Sequence, residues 1–383
     1  MSTARERRAK RSQKQAMVSR PVVSQVDSRP RPRRRSKNAP PPAIPPIVRL
    51  TLLLPPAIGL VVVVVLALGA LNPPAAGPAP NAIWLNASWT HAARSQDELL
   101  TLGQRLRDAQ IGTIYAYVSS LKLDGTWSGE PQQRNRFVEV EPLVRDFVQQ
   151  ARQIMPDGRV FAWLEVYADP PTGYRLDNLQ IQRIVADFSA RVIRDFGFDG
   201  VLLDAKPIFD GNPDLLNLLR AVRSAVGLQV PLAVSVPPDF TPPELSLRLA
   251  EPIAPNTIWS VEYKQRVSLQ ADQLVVVAHN SYITHPDDYA AWVGYQVRAF
   301  ASALSAINNA TRLLISVPHY APDPPAHDPI VESLANALEG ASAGLGQLSE
   351  SQRALVQGVA IYADRDLGEA EWDAMRRLWV RRE

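Results

Sequence analysis

The stretch "FDGVLLDAK", residues 198–206, decides the fold. Its alternate positions divide cleanly. Val201, Leu203 and Ala205 make one apolar row, and Leu202, Asp204 and Lys206 make a second row that turns polar toward its C-terminal end. In a parallel barrel, alternate residues of each strand face the surrounding helices and the lumen, and the lumen opens at the C-terminal strand ends. A strand with one fully apolar row and a second row ending in charge fits that geometry.

The same division recurs outward from this stretch. In "RVFAWLEVY" (159–167), Ala162, Leu164 and Val166 form the helix-facing row, leaving Trp163, Glu165 and Tyr167 inside. In "IGTIYAYVSS" (111–120) the inward set is Tyr115, Tyr117 and Ser119, and in "GVAIYADRD" (358–366) it is Ala360, Tyr362 and Asp364. Apolar runs at 83–89, 231–238, 271–280 and 312–320 bring the strands to eight. Between them lie amphipathic stretches, among them 95–110, 178–196 and 287–307, with Ser95 and Asp287 as expected N-caps, and 368–380 closes the series. Eight strand–helix units within residues 81–383 predict an α/β fold, a (β/α)8 TIM barrel. The rival, an open doubly wound sheet, would often carry a Gly-rich turn after its first strand, and "NASWTHAARS" is no such turn.

The chain ahead of the barrel has another character. Residues 1–40 hold 13 Lys and Arg against two acids, Glu6 and Asp27, a net charge of about +11. The whole chain sums to +3, so residues 41–383 carry about −8, and the basic balance belongs to the tail. Nucleic acid is not an expected partner. Residues 1–46, rich in Arg, Pro, Ser and Gln, are expected to be a disordered basic tail. Residues 50–71, "LTLLLPPAIGLVVVVVLALGAL", contain no charge over a length that suits one crossing of a bilayer, interrupted at Pro55 and Pro56. We therefore expect a transmembrane helix over 47–72, an uncleaved single-pass anchor at the cell membrane, with the tail cytoplasmic, a Pro-rich linker over 73–80 and the barrel extracytoplasmic. The chain has no cysteine, which excludes disulfides and thiolate metal sites.

"FDGVLLDAK" also resembles the fourth strand of the chitinase-like barrels of glycoside hydrolase family 18, whose signature is D-G-x-D-x-D-x-E. Asp199 and Gly200 match its opening and Asp204 its last Asp, while Leu202 stands at the middle Asp and Lys206 at the Glu. His279 and Asn280 stand at the Tyr and Asp of the sixth-strand stretch, and Tyr362 at the Trp of the last strand. The resemblance implies a sugar-binding mouth. In the family that Glu protonates the leaving oxygen in a substrate-assisted reaction, so Lys206 implies that this reaction is lost. An ammonium beside Asp204 is expected to stay charged and to sit badly next to an oxocarbenium-like centre.

The expected site thus comprises Glu165, Asp204 and Lys206, with Tyr117, Trp163, Tyr167, Asn280, Tyr362 and Asp364 as substrate-binding walls. Two functions stay open. One is a barrel that binds carbohydrate or cell-envelope glycan without cleaving it. The other is a hydrolase whose acids have moved to Glu165 and Asp204, set against a plain Glu165–Lys206–Asp204 charge cluster that holds the rim. A metal centre would have to come from His91, His279, His285, His319 and His327, which show no ligand-type spacing, and neither metal nor cofactor is expected. Trp127, in the loop after the second strand, is a further binding candidate. Trp259, Trp292, Trp372 and Trp379 read as packing between helices and barrel.

Overall fold

The computed structural model describes residues 79–129, 135–169, 173–239, 255–307, 310–363 and 366–381. The expected tail, the span over 50–71 and all but the end of the linker lie outside them, as does Asp364. Among the described residues no helix is long and apolar enough to cross a membrane.

Eight parallel strands close into a barrel in sequence order: β1 (Asn81–Leu85), β2 (Ile111–Ser120), β3 (Arg159–Tyr167), β4 (Gly200–Lys206), β5 (Leu232–Val236), β6 (Gln273–Val277), β7 (Arg312–His319) and β8 (Val356–Ala363). Each is followed by a helix: α1 (Gln96–Asp108), α2 (Phe137–Ile154), α3 (Leu179–Phe196), α4 (Pro213–Val226), α5 (Val261–Ser268), α6 (Pro286–Ser305), α7 (Leu334–Gly346) and α8 (Glu369–Ala374), which runs on into a wider π-type turn, Met375–Arg381. The open-sheet rival is excluded by the β1–β8 ladder.

Local chemistry explains where the helices begin. Ser95 and Glu98 form a reciprocal capping box at α1, and Asn178, Asn212, Ser260 and Ser333 each accept a backbone N–H at the start of α3, α4, α5 and α7. The expected cap at Asp287 is corrected. Pro286 opens α6 after His285, because proline suits the first helical position, and Asp287 lies in the first turn.

Two layers of core follow the two rows. Val201, Leu203, Ala205, Ala162, Leu164 and Val166 pack under the helices, together with the four tryptophans read as packing residues, which are 2–6% exposed. The lumen has its own cluster. Trp84, Tyr115, Tyr117, Phe161 and Trp163 reach from β1–β3 toward small or aliphatic residues on the far strands, such as Ala233, Val275, Leu314 and Ala360. Large rings thus fill the β1–β3 side, and the room at the mouth falls over β4–β8.

The Asp-Gly opening of β4 is structural. Asp199 accepts the Val160 N–H at 2.8 Å and pairs with Arg152 of α2 at 2.6 Å, both at the base of the barrel. Asp272 does the same for Leu232 N and Arg223 of α4 two strands on. A Cβ at Gly200 would lie 2.8 Å from the Phe161 ring and from the Pro231 carbonyl, so close approach accounts for the glycine.

Three strand expectations need correction. The first strand ends at Leu85 rather than at residue 89, since Asn86 caps a single helical turn, Ala87–Thr90. β6 ends at Val277, so His279 and Asn280 belong to the following loop. In β2 the register shifts between Tyr117 and Ser119. Ser119 thereby falls opposite helix-facing Leu164, where its hydroxyl donates to the Ser128 carbonyl at 2.6 Å, and Ser120 takes the inward place opposite Glu165. Such an irregularity inserts a residue and breaks strict alternation.

Candidate functional site

Glu165 and Asp204 are register partners on β3 and β4, and Lys206 follows opposite Tyr167. Same-face neighbours on adjacent strands are forced together, and the geometry is correspondingly tight. Lys206 Nζ lies 3.0 Å from Glu165 Oε1 and 3.0 Å from Asp204 Oδ2. Both carboxylates are 6% exposed, whereas the lysine side chain is about half exposed (49%), so the cation lies over the acids on the solvent side.

The charges hold one another. Burial pulls the Lys206 ammonium toward neutrality, but the Asp204 and Glu165 carboxylates outweigh it and keep its pKa well above the ordinary lysine range. Burial pushes Glu165 upward, Lys206 opposes this, and the charge of Asp204 adds to the rise. Nearby, the Tyr167 ring is 39% exposed and lies 5.9 Å from Lys206 Nζ, within cation–π reach.

Beside this cluster opens a cavity of about 530 Å³ at the C-terminal ends of the strands. Asp204, Lys206 and Ser235 line it from β4 and β5, Tyr362 from β8 and Trp84 from the lumen. Pro207, Pro237 and Pro238 supply apolar wall, and His279, Asn280, Tyr282 and Asp323 come from the loops after β6 and β7.

The expected walls separate into two levels. Tyr362 lines the cavity, and Asn280 lines it from an exposed position. Tyr117 and Trp163 are 1% and 4% exposed and belong to the packed base. There Trp163 meets Trp84 edge-on at 4.8 Å, Tyr117 at 5.2 Å and Tyr362 at 5.9 Å. Trp127 stacks on Phe188 of α3 with centroids 4.2 Å apart, a packing contact rather than a wall of the mouth.

Sequence reasoning missed the support behind Asn280. Glu332, 1% exposed, accepts the backbone N–H of Asn280 at 3.0 Å and of Ser281 at 2.6 Å, the Ser281 hydroxyl, and His327 Nδ1 at 2.9 Å. Tyr320 donates its hydroxyl to Asn280 Oδ1 and stacks on His327 at 3.9 Å. Asn280 and Tyr282 sit in the left-handed region with φ of 56° and 59°, a conformation these bonds sustain. His279 packs 5.0 Å from the Tyr362 ring, and burial, with help from the Lys206 charge, lowers its pKa to about 3, leaving a neutral imidazole. Trp84 and Tyr320 carried a signal, aromatic residues at strand ends. Glu332, within "DPIVESL", carried none.

Among the described residues no group of three or more His, Asp or Glu could hold a metal ion. No family model and no curated protein matches this sequence. Solved structures similar in fold include the spore cortex-lytic enzyme SleL of Bacillus cereus, at 9% identity, covering 78% of this chain and 73% of that one with a TM-score of 0.49. A Rhizomucor miehei chitinase is similar at 14% identity, 78% and 99% coverage and a TM-score of 0.47, and an Ostrinia furnacalis Group IV chitinase at 10%, 78% and 98%, and 0.49. The chain is a closed parallel (β/α)8 barrel.

Proposed function

We propose that this chain is a membrane-anchored, extracytoplasmic barrel that binds carbohydrate, a cell-envelope glycan, without cleaving it by the chitinase-type reaction. One observation carries the loss of that chemistry: the Lys206 ammonium bridges Glu165 and Asp204 at 3.0 Å each. The position from which a proton would be delivered holds a cation kept charged by two neighbours, and both carboxylates are committed to it. Binding is supported by a 530 Å³ cavity that combines the Tyr362 ring, above the buried Trp84, with hydrogen-bonding groups at Ser235, His279 and Asn280. Ring faces beside such groups suit sugars, which present apolar C–H faces and polar edges. The anchor rests on the uncharged stretch 50–71 next to a basic tail.

A second reading, a hydrolase using Glu165 and Asp204, draws on the raised pKa of Glu165, which suits a general acid. The two contacts to Lys206 bring the carboxyl oxygens within about 6 Å, a range that includes the roughly 5–5.5 Å of a retaining pair. The ammonium fills the intervening space, and the first reading is therefore preferred.

The test uses the full chain in detergent, with a glycan array and a reducing-end assay on chitin-type and peptidoglycan-type polymers. The expected result is saturable glycan binding with no release of reducing ends. Turnover near 1 s⁻¹ or faster, abolished by Glu165→Gln, would establish the second reading instead. Absence of any glycan binding together with absence of turnover overturns both.

A further inference from the structure

The carbohydrate-binding reading does not by itself name the sugars, but the charges in the mouth do. Among the described residues that line the cavity, the acids and bases are Asp204, Lys206, His279 and Asp323. The one positive charge, on Lys206, is shared by Asp204 and by Glu165 behind it, so it is compensated within that group. His279 is packed against the Tyr362 and Tyr320 rings and is neutral, and it contributes no second cation. Asp323 stands exposed on the loop after β7 and adds another negative charge. An acidic sugar entering here meets no uncompensated cation. A neutral acetamido group can donate its N–H to a carboxylate but brings no charge to pair with it.

A protonated sugar amine meets both features of the mouth. It can pair with the Asp323 carboxylate, and the half-buried Tyr362 ring presents aromatic surface that attracts cations. We infer that the mouth, if it binds carbohydrate as proposed above, selects glycans that carry free amino groups, de-N-acetylated amino-sugar polymer, over N-acetylated or acidic ones. Lys206 already fills the cation place between Glu165 and Asp204, so the sugar amine belongs on the Asp323 side.

The test compares glucosamine, N-acetylglucosamine and glucuronic acid tetramers on the full chain in detergent by calorimetry at about pH 6, where a sugar amine is largely protonated. The amine tetramer is expected to bind about tenfold tighter than the acetylated one, with the advantage shrinking at about 0.5 M salt as screening shortens the reach of the charges. Asp323→Asn is expected to cut the ratio to about threefold, whereas Asp157→Asn, an exposed acid at the opposite end of the barrel, leaves it near tenfold. The inference is overturned if the acetylated or acidic tetramer binds as tightly as the amine, or if Asp157→Asn lowers the ratio as much as Asp323→Asn. If none of the three binds, the carbohydrate reading itself falls, and the selectivity with it.

Discussion

Glu332 and His327 meet at 2.9 Å in the interior of the loop layer over β6 and β7, both 1% exposed. The pair joins two loops, because the same carboxylate holds the backbone of Asn280 and Ser281. The wall of the mouth that Asn280 and Tyr282 form is therefore fastened by a residue that never reaches the cavity.

Glu332→Gln preserves shape but replaces one accepting oxygen with an NH₂ donor, which must face at least one of the present donors. A buried group left facing a like partner costs about 2–4 kcal/mol. The expected result is a lower denaturant midpoint and faster hydrogen exchange at the amides of residues 280 and 281. Equal loss of protection in every strand of the barrel would show that Glu332 has no local fastening role.

Lys206→Met removes the only cation between two nearly buried acids. The expected cost is about 2–3 kcal/mol at pH 7, below the full price of breaking a buried pair because Lys206 is half exposed. The sign with pH follows from Glu165. Its folded-state pKa already lies above the ordinary value, and losing Lys206 raises it further, so the folded variant takes up a proton more readily than the unfolded chain. The deficit should therefore shrink as pH falls toward about 5. Equilibrium denaturation of both proteins across pH 5–8 measures it, and a pH-independent deficit would mean that packing rather than charge is lost.

The barrel and its central cluster were legible because they depend on short-range pattern. Alternation assigns Glu165, Asp204 and Lys206 to the lumen, and the ladder pairs Glu165 with Asp204 and Tyr167 with Lys206. Pattern fails where one residue shifts the count. The irregularity after Tyr117 turns Ser119 outward and Ser120 inward, and no residue in "YVSS" marks it. It fails again for contacts distant in sequence: Glu332 reaches Asn280 across 52 positions, and Trp127 is drawn from the mouth by Phe188, far along the chain. The level at which Tyr117 and Trp163 lie depends on how far large rings from β1–β3 extend across the lumen, which composition does not express.

His279 supplies a separate acid-sensitive term. Its folded-state pKa is lowered to about 3 by burial and by the Lys206 charge, against an unfolded value near 6.5. Between those values the unfolded chain binds more protons, so stability rises with pH through this window and is lost on acidification. The contribution is complete above about pH 6.5 and declines by up to about 1.4 kcal/mol for each unit below it. Glu165 acts in the opposite sense, and a variant comparison separates the two. His279→Phe is expected to lose less stability than the parent between pH 6.5 and 4.5, and parallel profiles would refute the assignment.

The proposed anchor and its orientation can be tested because the sequence has no cysteine of its own. Leu228, in the turn between α4 and β5, is 83% exposed, so Leu228→Cys provides a reactive thiol without disturbing packing. Ser36→Cys marks the basic tail. If residues 50–71 span a membrane as proposed, the positive-inside rule assigns the tail to the cytoplasm, since Lys and Arg beside a span resist transfer across it. A membrane-impermeant maleimide added to intact cells is then expected to label the Leu228→Cys protein and to leave Ser36→Cys unlabelled until the cells are lysed. The reverse pattern would place the barrel in the cytoplasm. Labelling of Leu228→Cys on protein released into the medium, with the tail missing from it, would show instead that the span is cleaved.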